Sequence, residues 1–267
     1  MTALLQTRTL TRRYAGLLAV DSVDMAVQAG RVHALIGPNG AGKTTLFNLI
    51  SGLEPPSEGA VLLRGRDITP LRADRRTALG LARTFQNIRI FGAMTVLENV
   101  LTGLQPRRTV GLIQTILRTP AFRREERALV ARAREALEMV GLSARAEAQA
   151  ATLPYGEQRL LEIARAMAPE PALLLLDEPA AGMNPAETAA LAGLVRRIRD
   201  LGTTVLLVEH DMGFVMDIAD DVTVLNFGRL IFQGPPAAAR QAPEVMTAYL
   251  GQKMAARLAA RARKVVP

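Results

Sequence analysis

The stretch Gly37-Pro38-Asn39-Gly40-Ala41-Gly42-Lys43-Thr44 decides the fold. Upstream, Val32–Gly37 is a short apolar run with the length of a buried strand. Downstream, Lys43–Ser51 has the pattern of a helix. A Gly-rich turn leading from strand into helix satisfies G-x-x-x-x-G-K-[ST] in full. Glycines let the backbone wrap close to an anion, and the N–H groups and dipole of the helix start face that anion. The spacing predicts a phosphate cradle made by Gly37, Pro38, Asn39, Gly40, Ala41 and Gly42. Lys43 is expected to reach the β- and γ-phosphates of a nucleoside triphosphate. Thr44 is expected to place its hydroxyl on Mg2+, and Thr45 to support the α-phosphate side.

Working outward, Leu173–Asp177, Thr203–Glu209 and Val222–Asn226 read as further buried strands. Helical patterns lie between them, notably Glu157–Met167 and Ala186–Leu201. Strands alternating with helices imply an α/β fold with a mostly parallel sheet covered on both faces, and with the Gly-rich motif in place this resembles the P-loop NTPase (RecA-like) core. Leu4–Leu10, Val20–Val27 and Gly59–Leu63 are short and β-like, with a turn at Ala15-Gly16. They predict an N-terminal antiparallel β subdomain flanking the core. Residues of about 89–155 break the α/β rhythm with long helical stretches such as Arg123–Val140, and predict an inserted helical subdomain. The expected division is one domain over 1–250, with the core and β subdomain in about 1–88 and 156–250, and a basic tail over 251–267. The tail carries Lys253, Arg257, Arg261, Arg263 and Lys264 without an acid, and reads as a basic helix.

The 267 residues include no Cys, which excludes disulfides, cysteine zinc knuckles and thiol nucleophiles. Met1–Leu10 lacks a long apolar stretch of the kind a secretory leader needs. Runs such as Ala172–Leu176 fall far short of the roughly 18 residues that span a bilayer. The net charge of +8 suggests an anionic partner without choosing among nucleotide, nucleic acid and lipid headgroups.

Leu173-Leu174-Leu175-Leu176-Asp177-Glu178 places two carboxylates just past a buried strand, at the edge of a parallel sheet where ligands bind. Asp177 suits Mg2+ coordination through water, and Glu178 suits a general base that orients an attacking water. His210 follows another strand end. By position it is either structural or an imidazole aimed at the γ-phosphate. Gln86, in Arg83-Thr84-Phe85-Gln86-Asn87, reads from its position alone as a solvated side chain; a contact to Mg2+ or water is the other reading.

Leu153-Pro154-Tyr155-Gly156-Glu157-Gln158, followed by Arg159–Met167, resembles the ABC ATPase signature segment and lies shortly before Asp177-Glu178. From about residue 4 to 250 the chain resembles an ABC ATPase in five ordered motifs: the phosphate cradle, the Gln86 loop, the signature, the acidic strand end and His210. Gly16–Val20, Arg83–Gln86, Leu161–Ala166, Asp177–Pro185, Val208–Met212 and the Tyr249-Leu250-Gly251 ending look like the branched-chain amino acid importer ATPases. Of the two related ATPases in such systems, the sequence resembles the longer.

The resemblance implies ATP and Mg2+ as cofactors, and catalytic roles for Glu178, His210, Lys43 and Gln86. It implies metal contacts from Thr44, Gln86 and Asp177, with Tyr14 stacked on adenine. It also implies a head-to-tail dimer with a second ATPase subunit, self or paralogue, in which Tyr155, Gly156 and Glu157 meet the partner's ATP. Two membrane permease subunits and, indirectly, a substrate-binding protein complete the expected assembly, at the cytoplasmic face of the inner membrane and without nucleic acid. Two positions depart from the common pattern: Pro154 stands where many ABC ATPases have Ser, and Asn184 where many have Asp. The alternatives are an ATPase of a urea, amide or lipopolysaccharide system, or a soluble ABC ATPase acting on nucleic acid or ribosomes. The single P-loop, single signature and modest insert weigh against the soluble form. The basic stretches Arg107-Arg108, Arg118 to Arg127 and the tail are candidates for lipid headgroups or the permease, or are a solvated cationic surface.

Overall fold

The structure is a computed structural model, which describes residues 3–105 and 119–249. Arg107-Arg108, Arg118, Leu250-Gly251 and the basic tail lie outside the described residues.

Two sheets form the frame. The first is antiparallel, built from β1 (Ala3–Tyr14), β2 (Leu17–Gln28), β4 (Glu58–Leu63) and β5 (Arg66–Asp67) in the order β2-β1-β4-β5. The second holds β3 (Val32–Ile36), β6 (Leu81–Arg83), β7 (Leu173–Asp177), β8 (Thr204–Val208), β9 (Asp221–Asn226) and β10 (Arg229–Gly234), in the order β10-β9-β3-β8-β7-β6. Its strands are parallel except β10, which returns antiparallel on β9. The expected parallel core and flanking antiparallel sheet are both present. β1 and β2 run longer than the sequence pattern indicated, because Tyr14 pairs with Leu17 across the Ala15-Gly16 turn.

The continuous apolar strands follow from burial on both faces. In β7, Leu174 and Leu176 enter one core while Leu173 and Leu175 enter the other. The first core packs the parallel sheet against α3 (Val96–Gly103), α4 (Pro120–Met139), α5 (Tyr155–Met167), α6 (Pro185–Asp200) and α7 (Met212–Ile218). The second core packs its opposite face against α1 (Lys43–Ser51) and the antiparallel sheet. Two short helices, α2 (Ala73–Ala78) and α8 (Pro236–Ala239), complete the named elements, and residues 243–249 are helical.

The helix α1 is fixed at both ends. At its C-terminus Gly52 takes a left-handed conformation, and the buried Arg76 guanidinium donates to the carbonyls of Leu49 and Ile50, each at 2.7 Å. Arg76 also donates to Leu71 and Thr69 carbonyls at 2.9 and 3.0 Å. A cation at a helix C-terminus satisfies carbonyls that have no intrahelical partner. Burial pushes the Arg76 pKa down to about 10, which leaves it charged at neutral pH.

Candidate functional site

At the N-terminus of α1 the chain turns through Gly37–Gly42. Gly37 has φ 147°, and a Cβ there would lie 2.2 Å from the Leu225 carbonyl oxygen. Gly42 caps α1 with φ 96°, and a Cβ there would lie 2.3 Å from the Ala19 carbonyl oxygen. Any side chain at either position forces the cradle away from β9 or β2, so the glycines are sterically required. Gly228 donates its N–H to the Ala41 carbonyl at 3.0 Å and ties the loop to the β9–β10 hairpin.

Asn39, Gly40, Ala41 and Gly42 line a cleft of about 500 Å³ together with Tyr14, Leu17, Leu18, Ala19, Lys43, Thr44, Thr45, Glu178, Phe227 and Gly228, whereas Gly37 and Pro38 lie outside its lining. Of the residues singled out in the sequence, Tyr14, Asn39, Gly40, Ala41, Gly42, Lys43, Thr44, Thr45 and Glu178 are brought together in this lining, and Gln86, Asp177 and His210, like Gly37 and Pro38, are not part of it. One face of the Tyr14 ring is covered by the Arg12 guanidinium, 4.7 Å from its centroid. Leu17, Leu18, Ala19, Phe227 and Gly228 are additions from two hairpins. The signal for the second was the Asn226-Phe227-Gly228 turn, where Phe227 takes φ 47° and is 84% exposed.

Lys43 is buried, and its Nζ donates to the carbonyls of Gly37 and Pro38 at 2.7 and 2.9 Å. The ammonium thus lies folded on its own loop, within the lining of the cleft. Burial pushes its pKa down, and the Glu178 carboxylate opposes that shift. Glu178 adopts φ 46°, a left-handed conformation that a non-glycine residue takes only under constraint. Its N–H donates to the Val208 carbonyl at 3.0 Å, and its Oε2 accepts from Gln86 Nε2 at 3.0 Å.

Asp177 lies behind the cleft lining, buried at the end of β7. Its Oδ2 accepts from Arg83 at 2.9 Å. Burial pushes the Asp177 carboxyl pKa up and the Arg83 guanidinium down, and their attraction opposes both. Among the described residues no cluster of three or more His, Asp or Glu side chains gathers to hold a metal alone. Mg2+ needs no such cluster, since it keeps several waters and takes one or two protein groups beside substrate phosphates. The Thr44 hydroxyl in the cleft lining and the Asp177 carboxylate at the end of β7 have the oxygen chemistry such a site takes.

Tyr155, Gly156 and Glu157 begin α5 and do not line this cleft. Pro154 is the residue preceding the helix, and its carbonyl accepts the first helical bond from Gln158 at 3.0 Å. A proline there costs no backbone hydrogen bond. A Cβ on Gly156 would lie 2.6 Å from Glu187 Oε1, so the start of α5 lies close against the Glu187 side chain of α6. Asn184 caps α6: its Oδ1 accepts from Ala186 and Glu187 N–H groups at 2.9 and 3.0 Å. Asn caps a helix as well as Asp does, which gives this departure its physical reason.

Two buried carboxylates brace the site, and sequence reading missed both. Glu209 accepts from the Ala180 N–H through Oε1 at 3.0 Å and from the His210 N–H through Oε2 at 3.1 Å. It joins the loop after Glu178 to the one that carries His210, whose own side chain is 61% exposed. Glu162 accepts from the Arg89 N–H at 2.8 Å and pairs with Arg159 at 3.2 Å. Arg159 donates to the carbonyls of Phe85 and Gln86 at 2.7 and 2.8 Å, so the Gln86 loop is held by α5.

The ABC transporter family profile matches residues 20–181. The chain is 45% identical over 250 residues to a high-affinity branched-chain amino acid transport ATP-binding protein, LivG, of Salmonella typhimurium. The match covers 93% of this chain and 98% of that one. It is 44% identical over the same length to the high-affinity branched-chain amino acid transport ATP-binding protein BraF of Pseudomonas aeruginosa, again with 93% and 98% covered. Among solved structures, the ADP conformation of an ATP-binding cassette of an ABC transporter superposes with a TM-score of 0.82 at 30% identity. It covers 94% of this chain and all of that one.

Proposed function

The chain belongs to the ABC transporter family, and from that premise we propose that it is the Mg-dependent ATPase subunit of an importer for branched-chain or similar amino acids. The observation that carries the catalytic part is Glu178, held in a left-handed conformation with its carboxylate in the cleft beside Lys43. The cargo assignment is supported by the relatives at 44 to 45% identity.

In this reading Gly37–Gly42 hold the triphosphate through backbone N–H groups. Lys43 exchanges the Gly37 and Pro38 carbonyls for phosphate oxygens. Tyr14 offers the ring face not covered by Arg12 to the adenine. Thr44 and Asp177 would hold Mg2+, which when bound would offset charge on the transferring phosphoryl group. Gln86 donates to Glu178 Oε2 and leaves Oε1 to accept a proton from the attacking water. His210 swings from its exposed position to the γ-phosphate.

A second ATPase subunit, a copy or a paralogue, supplies Tyr155, Gly156 and Glu157 from its own α5 start, where free N–H groups suit an anion. The hydroxyl that a Ser at position 154 would give is missing, at a cost of about 1–3 kcal/mol to closure. Residues of about 89–155 act as the helical subdomain that meets two permease subunits at the cytoplasmic face of the membrane. No helix among the described residues is long and apolar enough to cross a membrane, and in this reading the permease holds the chain there.

The test is ATP hydrolysis by the purified chain beside Glu178→Gln, with light scattering in Mg-ATP. Turnover by the parent, with ATP-trapped dimers of the variant, supports the reading. Equal turnover by both refutes Glu178 as the base. Leucine uptake by vesicles holding permease, ATPases and binding protein tests the cargo.

A further inference from the structure

Arg83 is a charged side chain that the proposed mechanism leaves without a task, yet it is only 9% exposed. It sits at the end of the edge strand β6, three residues before Gln86. Its guanidinium forks. One nitrogen donates to Asn48 Oδ1 at 2.8 Å and to Ser51 Oγ at 2.6 Å, both on α1. The other donates to Asp177 Oδ2 at 2.9 Å. The plane is flanked by the Phe47 and Phe85 rings, 5.0 and 5.6 Å from its carbon.

The Asn48 amide is itself oriented. Its Nδ2 donates to Glu54 Oε1 at 2.8 Å, which turns Oδ1 toward Arg83, and Glu54 Oε2 accepts from the Tyr14 hydroxyl. A polar chain therefore runs from Tyr14 through Glu54, Asn48 and Arg83 to Asp177.

A planar fork held at both ends fixes position in a way that a lysine ammonium does not. With Oδ2 committed to Arg83, Oδ1 is the carboxylate oxygen that would be left for a metal or its water. We propose that Arg83 is a positioning residue for the metal-binding carboxylate Asp177, referencing it to the phosphate-binding helix α1 through Asn48 and Ser51. This rests on the reading of Asp177 as an Mg2+ contact. Partners behind a metal ligand set its orientation, and losing one costs about 10–100-fold in metal affinity.

The experiment uses Arg83→Lys and Asn48→Ala in the full chain. Both keep a cation beside Asp177, so charge is unchanged and geometry is what differs. Binding of a fluorescent ATP analogue is titrated with Mg2+ and, separately, measured in EDTA. We expect the half-saturating Mg2+ concentration to rise about tenfold in Arg83→Lys and less in Asn48→Ala, with EDTA affinity within about twofold of the parent. The double variant should be no worse than Arg83→Lys alone, because both act through one fork. Mg2+ titrations that superimpose on the parent's overturn the proposal. So does an equal loss with and without Mg2+, which marks a merely structural role. If the parent itself shows no Mg2+ effect, the reading of Asp177 fails instead.

Discussion

Lowering the pH should destabilise this protein through a single buried histidine. His33 lies in β3 and is 1% exposed, with its Nε2 2.8 Å from Thr223 Oγ1. Burial pushes its pKa from 6.5 down to about 4, opposed weakly by Asp221. The unfolded chain therefore takes up a proton from pH 6.5 downward, while the folded chain resists until about pH 4. Stability from this group is fully present above pH 6.5 and drains away as the pH falls to about 4. Integrating the linkage gives a loss of about 2 kcal/mol between pH 7 and 5, and about 3 kcal/mol by pH 4. The assay is urea unfolding at pH 7, 6 and 5, beside His33→Gln. Glutamine reaches Thr223 with a similar amide but cannot titrate. The parent should lose about 2 kcal/mol more than the variant over that range. Parallel pH profiles would show that His33 protonates in place, and the burial argument would fall.

Other substitutions probe the frame. Arg76→Met strips a cation from four carbonyls, two of them at the end of α1, and should cost about 3 kcal/mol by urea melts. Asn184→Ala removes the α6 cap and should cost about 1 kcal/mol in the same assay, while Asn184→Asp should change little. Glu209→Gln leaves one of two N–H groups facing an amide donor; it should cost about 1–3 kcal/mol and slow ATP hydrolysis at saturating substrate.

What could be read from the sequence divides along burial and length. β3 and β7 were legible because both faces are covered and their apolar runs are unbroken. β6 has three residues and α2 has six, too few for any period to declare itself. α3 did carry a signal: Thr95 and Glu98 form a capping box in the structure, and the spacing was there to be seen. At the site, Lys43, Thr44 and Glu178 belong to local motifs and were read directly. Arg83, Arg159, Glu162 and Glu209 were not. In a sequence, a buried charge looks like a surface charge, and its partners lie 73 to 94 residues away for Arg83–Asp177 and Arg159–Phe85, Gln86. Only the sheet order, which sets β6 beside β7, brings Arg83 to Asp177.

Glu178 breaks a local rule where the proposed chemistry needs it. A left-handed φ costs an L-residue roughly 1–2 kcal/mol. The surroundings enforce it: the Glu178 N–H is held by Val208, and the Ala180 N–H two residues on is held by Glu209. The Glu178 carboxylate also raises the pKa of the buried Asp177 beside it, a repulsion that adds to the cost. Against these stand one hydrogen bond to Gln86, an exposed side chain, and the attraction of the carboxylate for the buried Lys43 ammonium. Glycine at 178 should relieve both the dihedral strain and the repulsion. It gives back about 0.5–1 kcal/mol through the greater freedom of the unfolded chain. With the Lys43 attraction lost as well, Glu178→Gly should stay within about 1 kcal/mol of the parent in stability, while losing ATP hydrolysis. Urea melts and a phosphate-release assay on one preparation measure both. A variant less stable than the parent by more than about 1 kcal/mol would mean that the Glu178 side chain supports the fold, and that its conformation is not strain held for catalysis.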